Sequence, residues 1–283
     1  LIPVEVDNIK LEVANSWNEL VANELKYIAS RFHLLALKPK NDIEEQHKFL
    51  FRFRFVAKLF RVKFWQLHLK LKLAKMNKEQ ILLLADLANF IEPLNKIDLT
   101  KQLLPKIRLN GTWIYGPSDF LQNISLEEFA FADKAFINFM KSNQEKEKEQ
   151  QLTRLVSCLY RPNKLFVKKD KQFKGDERKD FNSYILNDYD VKYSKISLTH
   201  KLMILLYYWG CRNSLVVHYP NVFSSGNNGK ATANDLGWVG VIFELACEKI
   251  GTIDKVAESN MHFMLTYLEN ELIKSKNFKK PKL

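Results

Sequence analysis

Glycine and proline are scarce in this chain, nine and eight among 283 residues. Sandwiches and barrels spend such residues on turns, so the shortage argues against an all-β fold and for helices. Cysteine is scarcer still. Cys158, Cys211 and Cys247 are odd in number and far apart, which argues against a disulfide framework and suits a reducing compartment. Each falls in an apolar helical pattern and reads as a buried small hydrophobe. The longest strongly apolar run, Met203–Cys211, has nine residues, about half of the ~20 that a membrane span needs, so no membrane partner is expected. The opening LIPVEVDNIK has no basic region followed by an apolar stretch, so no secretory signal is visible. It also lacks an initiator Met, the mark of a chain that is processed or incompletely represented.

Chemical signatures are also missing. His33, His47, His68, His200, His218 and His262 form no H-E-x-x-H pair and no Cys/His finger spacing, so no metal is expected. There is no G-x-S-x-G and no phosphate loop. The Gly226–Gly229 loop lacks the strand–loop–helix setting that makes an anion site specific. Glu44-Glu45 and Glu127-Glu128 are adjacent carboxylates, but neighbours on a helix point about 100° apart. They read as favourable first-turn charges. No catalytic residue and no cofactor is predicted.

What the chain does have is apolar mass and positive charge. Hydrophobic residues make up 46% and aromatics 12%, enough for a packed core. The net charge is +12. Nine basic residues, seven aromatics and no acid lie between Lys48 and Lys75. Arg52, Arg54, Lys58, Arg61, Lys63, Lys70, Lys72 and Lys75 are the candidate contacts for an anionic partner. Three readings compete: a solvated face with snorkelling stems, an acidic protein partner, or nucleic acid. A second basic segment, 161–179, carries eight bases and three acids and reads as a loop. The tail Lys274–Leu283 has five lysines and no acid.

Periodicity predicts a mainly α, multi-helix bundle with one small β-hairpin near 107–115. Ser16-x-x-Glu19 has the form of a capping box for a helix over 17–36. Residues 43–60 read as a helix, with a strand as the rival, because Phe49, Phe51, Phe53 and Phe55 alternate with Leu50, Arg52 and Arg54. Residues 67–73 alternate cleanly and suit a short strand or an extended arm. Helices are predicted over 78–91, 125–140, 148–160, 177–188, 197–219 and 236–249, the last starting behind an Asp235 cap. A final helix follows a Thr252 cap. Asn110-Gly111 is the favoured type I′ pair for the hairpin. Gly251 fits a helix C′ position. The two last helices suggest an αα-hairpin, which packs within the monomer or offers an oligomer surface. The polar run 143–151 reads as a linker or a solvated helix extension and is the expected boundary between domains 1–142 and 152–275, with 276–283 as a basic tail.

The order of features is similar to a known group. SWNEL, SLEEFAFADKAF, LVSCLYRP, YYWGCRNSLVVHYPNVF and GWVGVIFELACEKIGTIDKV resemble uncharacterised proteins of phages and prophages of Bacteroidota, encoded among structural and tail genes. The GW-x-x-x-I-x-x-LA pattern resembles the helical region of phage tail-assembly chaperones, which are usually smaller and often acidic, unlike this chain. The resemblance implies a non-enzymatic structural or tail-assembly protein, in the virion or host cytoplasm. Its partners would be other phage structural or assembly proteins, DNA and further copies of itself. The alternative is a basic nucleic-acid-binding protein of phage replication, packaging or regulation.

Overall fold

A computed structural model describes residues 1–6, 9–32, 42–61, 79–80, 85–92, 94–164, 176–224, 237–246 and 250–278. Among the described residues there are ten α-helices and two small sheets, of two and three strands. The protein is mainly α with a small hairpin. The chain falls into two units, Leu1–Leu99 with Leu206–Asn213, and Thr100–Leu205 with Ser214–Leu283. The boundary expected at 143–151 is not where the chain divides.

The first unit opens with an antiparallel pair, β1 (Ile2–Val6) and β2 (Ile9–Val13), in register Ile2↔Val13 to Val6↔Ile9. The helix predicted over 17–36 is shorter. Trp17–Glu19 is a single 3₁₀ turn, Leu20 is extended, and α1 runs from Ala22 to Ser30. The reason lies in two carboxylates. Glu19 accepts from the Asn15 backbone N–H at 2.9 Å, not from Ser16. Glu24 accepts from the Val21 N–H at 2.8 Å, which satisfies an orphan donor one turn later. Residues 33–36 of that prediction lie outside the described residues.

Residues Asp42–Leu59 form α2, so the helical reading wins over the strand. A helix places Phe51 and Phe55 one turn apart on one face. Both are buried and lie parallel to each other at 6.2 Å, and the Tyr27 ring from α1 stacks on them at 5.7 and 6.0 Å. Trp17 donates its indole N–H to the Phe90 carbonyl at 3.0 Å. The predicted strand 67–73 and much of the predicted helix 78–91 lie outside the described residues; Asn89–Ile91 is a 3₁₀ turn. Within this unit Gly210 lies against Leu99, and Asn213 donates to the Ile97 carbonyl at 2.8 Å.

The second unit is built on a helix pair. Ser125 caps α3 (Leu126–Lys141), its hydroxyl accepting from the Glu128 N–H at 3.1 Å. Of the two readings of 143–151, the helical one holds from Glu145 onward. Glu145 and Glu147 open α4 (Glu145–Leu159), which packs along α3, where early acids suit the helix dipole. The hairpin is β3 (Lys106–Leu109) and β4 (Thr112–Tyr115), and Arg161–Pro162 adds β5 beside β4. Asn110 and Gly111 both have positive φ, 47° and 81°, the signature of a type I′ turn.

The helix predicted over 177–188 is displaced. Residues 176–182 form no helix: Arg178 bridges to Asn163 and the Lys179 N–H donates to the Pro162 carbonyl at 2.9 Å. Asn182 then caps a 3₁₀ turn that leads into α5 (Leu186–Tyr193). Helix α6 (Leu198–His218) follows the prediction and is capped by Ser197; α7 is Pro220–Ser224 and α8 is Trp238–Leu245. The Asp235 cap lies outside the described residues. The helix predicted over 236–249 ends at Leu245 with Ala246 as its C-cap, so Gly251, at φ +125°, is not its C′ residue. Thr252 caps α9 (Ile253–Glu258), but the final helix breaks there and restarts as α10 (Met261–Phe278). The break is made by a backbone exchange with the start of α3: Leu126 donates to the Ser259 carbonyl at 2.9 Å and Met261 to the Ile124 carbonyl at 3.0 Å. No described helix is long and apolar enough to cross a membrane.

Candidate functional site

Four of the eight basic candidates are described: Arg52, Arg54, Lys58 and Arg61. Lys63, Lys70, Lys72 and Lys75 lie outside the described residues. Arg54 and Lys58 are exposed one turn apart on α2. Arg52 donates to the Asn89 side chain at 2.8 Å. Arg61 grips Glu24 through two contacts, 2.7 and 3.1 Å, and also donates to the Glu19 carbonyl at 3.0 Å. The chain's own groups therefore hold two of the four, and two face solvent.

Charged groups converge elsewhere, inside the second unit. Glu128 sits in the first turn of α3 and is buried. Its Oε2 accepts from Arg161 at 2.9 Å and its Oε1 from Arg178 at 2.8 Å. Arg178 also pairs with Asp176 at 2.8 Å. Both arginines are buried and spend their remaining N–H groups on backbone carbonyls. Arg161 donates to Lys179 at 2.6 Å and Cys158 at 2.7 Å, Arg178 to Leu159 at 2.7 Å and Asn123 at 3.2 Å. Burial opposes the Arg178 charge, but the Glu128 and Asp176 carboxylates outweigh it and raise its pKa. Burial, with Glu128 adding, pushes the nearby Cys158 thiol far above its ordinary value, so it stays protonated and a poor nucleophile. Every charge here is met by an opposite charge or a dipole. Chemically the set is a clamp that joins the start of α3, the end of α4 and the extended segment before α5.

A second polar group lies at the start of α10. The His262 Nε2–H donates to the Phe120 carbonyl at 2.8 Å, which leaves Nδ1 to accept from the Tyr219 hydroxyl at 3.1 Å. Phe120 and Leu121 both have left-handed φ, 53° and 57°, uncommon without glycine. The Phe120 ring lies 4.8 Å from the His262 ring and 5.1 Å from that of His218. Burial lowers the His262 pKa below its ordinary 6.5; the Phe120 carbonyl opposes this and His218 adds to it. The folded state thus binds the proton less readily than the unfolded chain. Stability from this residue is full above about pH 6.5 and falls as pH drops through the lowered folded value. Thermal melts between about pH 7.5 and 5.5 are expected to show a steeper fall for the wild type than for His262→Gln. Equal slopes would contradict this.

Among the described residues no three His, Cys, Asp or Glu side chains are grouped to hold a metal ion. No family model, curated protein or solved structure matches this chain. Sequence reasoning missed Glu128, Arg161, Asp176 and Arg178. One signal was present: Glu128 falls on the stripe of Ala132, Ala135 and Phe139, all buried. A carboxylate on an apolar stripe demands a buried cation.

Proposed function

We propose that this protein is a non-catalytic docking component of a phage or prophage particle, acting in the structure or assembly of the tail through its helical surfaces. The observation that carries the reading is a set of large apolar side chains standing in solvent on helices packed by their other faces. Tyr184 is 93% exposed and Val191 76%, two helical turns apart at the start and end of the segment leading through α5. Val217 is 76% exposed and Phe263 68%. Singly exposed apolar side chains are ordinary, but Tyr184 and Val191 stand two turns apart, where one partner surface could cover both. The +12 net charge suits partners of acidic surface, and the similarity of SLEEFAFADKAF and the C-terminal motifs to phage structural-region proteins supplies the setting.

Affinity purification of the tagged full chain from infected cells is the test. Other structural or tail-assembly proteins of the phage are expected to co-purify, and a Tyr184→Glu, Val191→Glu chain is expected to lose them while keeping its circular dichroism. Unchanged recovery with the variant would remove these side chains from the interface. Absence of any structural partner from the wild type would remove the reading.

A further inference from the structure

The hairpin predicted from Asn110-Gly111 has a face that stays partly open, covered only towards Tyr115, whose β5 neighbour Arg161 is buried. Ile107, Leu109 and Ile114 point into the core and are buried. The opposite face carries Lys106 and Arg108 on β3 and Trp113 and Tyr115 on β4. Cross-strand pairing sets Arg108 beside Trp113 and Lys106 beside Tyr115, and neighbours in such pairs share a face. A row of cations on β3 therefore lies beside a row of rings on β4. Lys106 and Arg108 are exposed and Tyr115 half-buried. Trp113 is 43% exposed, and the Lys106 ammonium sits 4.8 Å from the centre of its ring. No acid occurs between Asp98 and Asp119, so the hairpin itself contributes only positive charge.

We propose that this face is a platform for single-stranded nucleic acid, with unpaired bases stacking on Trp113 and Tyr115 and the flanking phosphates meeting Lys106 and Arg108. Charge on an edge strand would by itself be accounted for by keeping other strands away. That does not account for an indole left in solvent beside it. A ring next to a cation fits a ligand that repeats a flat apolar surface and a negative charge along one chain. An acidic peptide supplies the charge without the flat surfaces, and a duplex hides its base faces. The type I′ turn holds the four side chains on a short, rigid ribbon, so little order remains to be gained on binding. The platform is separate from the basic stretch Lys48–Lys75. It is also independent of the docking reading: a chain that enters particles but ignores oligonucleotides would sink this inference alone.

The experiment is fluorescence-anisotropy titration of a labelled short oligothymidylate with the full chain at several salt concentrations. Trp113→Ala is expected to weaken binding about tenfold or more, while Trp113→Phe, which keeps a ring, retains most of it. Lys106→Gln with Arg108→Gln is expected to weaken binding and to flatten the salt slope by about 1.4, two phosphate contacts at ~0.7 each. The double glutamine variant changes only exposed groups, and its melting temperature confirms the fold. No binding by the wild type, unchanged affinity in the hairpin variants, or tighter binding to the matching duplex or to polyglutamate would each overturn the proposal.

Discussion

Glu128→Ala is expected to cost about 3–5 kcal/mol, because it removes the shared anion from two buried guanidiniums. The wild-type arrangement is nearly closed: both Glu128 oxygens are taken, Arg178 has a second carboxylate in Asp176, and four carbonyls accept the remaining donors. Without Glu128, Arg161 keeps only carbonyls and a distant Asp176 carboxylate at 3.8 Å. Urea denaturation followed by circular dichroism checks this, as a shift of the midpoint at constant slope. A triple replacement, Glu128→Met with Arg161→Met and Arg178→Met, sharpens the argument. Apolar replacement of a simple buried ion pair is often neutral or stabilising. Here it strips donors from the carbonyls of Asn123, Cys158, Leu159 and Lys179, each a loss of about 1–3 kcal/mol. The triple variant is therefore expected to be no more stable than Glu128→Ala. Recovery to wild-type stability would mean that the arginines serve Glu128 and not the backbone.

Gly210→Ala is the second large effect. In an exposed helix interior this change gains about 1 kcal/mol through propensity. At Gly210 a Cβ would stand 2.4 Å from both the N and the O of Leu99. Those are backbone atoms and cannot swing aside, so helix and segment must part, at a cost of about 1–3 kcal/mol or more. Neighbouring Cys211 reports on the same contact: it is buried, and its thiol lies 3.8 Å from the Leu99 carbonyl. Thiol labelling mapped by mass spectrometry is expected to leave Cys211 unmodified in the wild type and to modify it in Gly210→Ala. A variant as stable and as unreactive as the wild type would contradict the close approach.

Local rules made much of this fold readable. Ser125 and Thr252 cap helices because their hydroxyls meet amides three residues on, and Asn110-Gly111 turns because both residues accept positive φ. The phenylalanines of 49–55 satisfy two periods at once. Rings from elsewhere in the chain, Tyr27 and Phe90, decide between them. The failures have the same origin. Ser16-x-x-Glu19 has the right spacing, but Glu19 finds the Asn15 amide first. The 177–188 helix starts late because Arg178 is claimed by Glu128, fifty residues away in sequence. The final helix breaks at Ser259–Asn260 because the start of α3 needs its backbone partners.

The buried clamp was legible only as an inconsistency, a glutamate on an apolar stripe, and its partners lay in a segment that reads as a solvated basic loop. The early cluster of positive charge was legible as composition but not as a surface. Arg61 has the same side chain as Arg54, yet Glu24 meets one while solvent meets the other. The hairpin was legible as a turn, but nothing in its spacing said which face would stay open.

The function we propose is attachment, in which helices locked by an internal ion cluster would display apolar and basic groups to other proteins of a particle. Quantitative mass spectrometry of phage particles and tail intermediates purified from a strain that expresses this chain tests the proposal most directly. The account predicts this chain in a fixed ratio to the tail proteins, in finished particles or in a defined intermediate. Its absence from both, with the chain recovered only in free form, would contradict it.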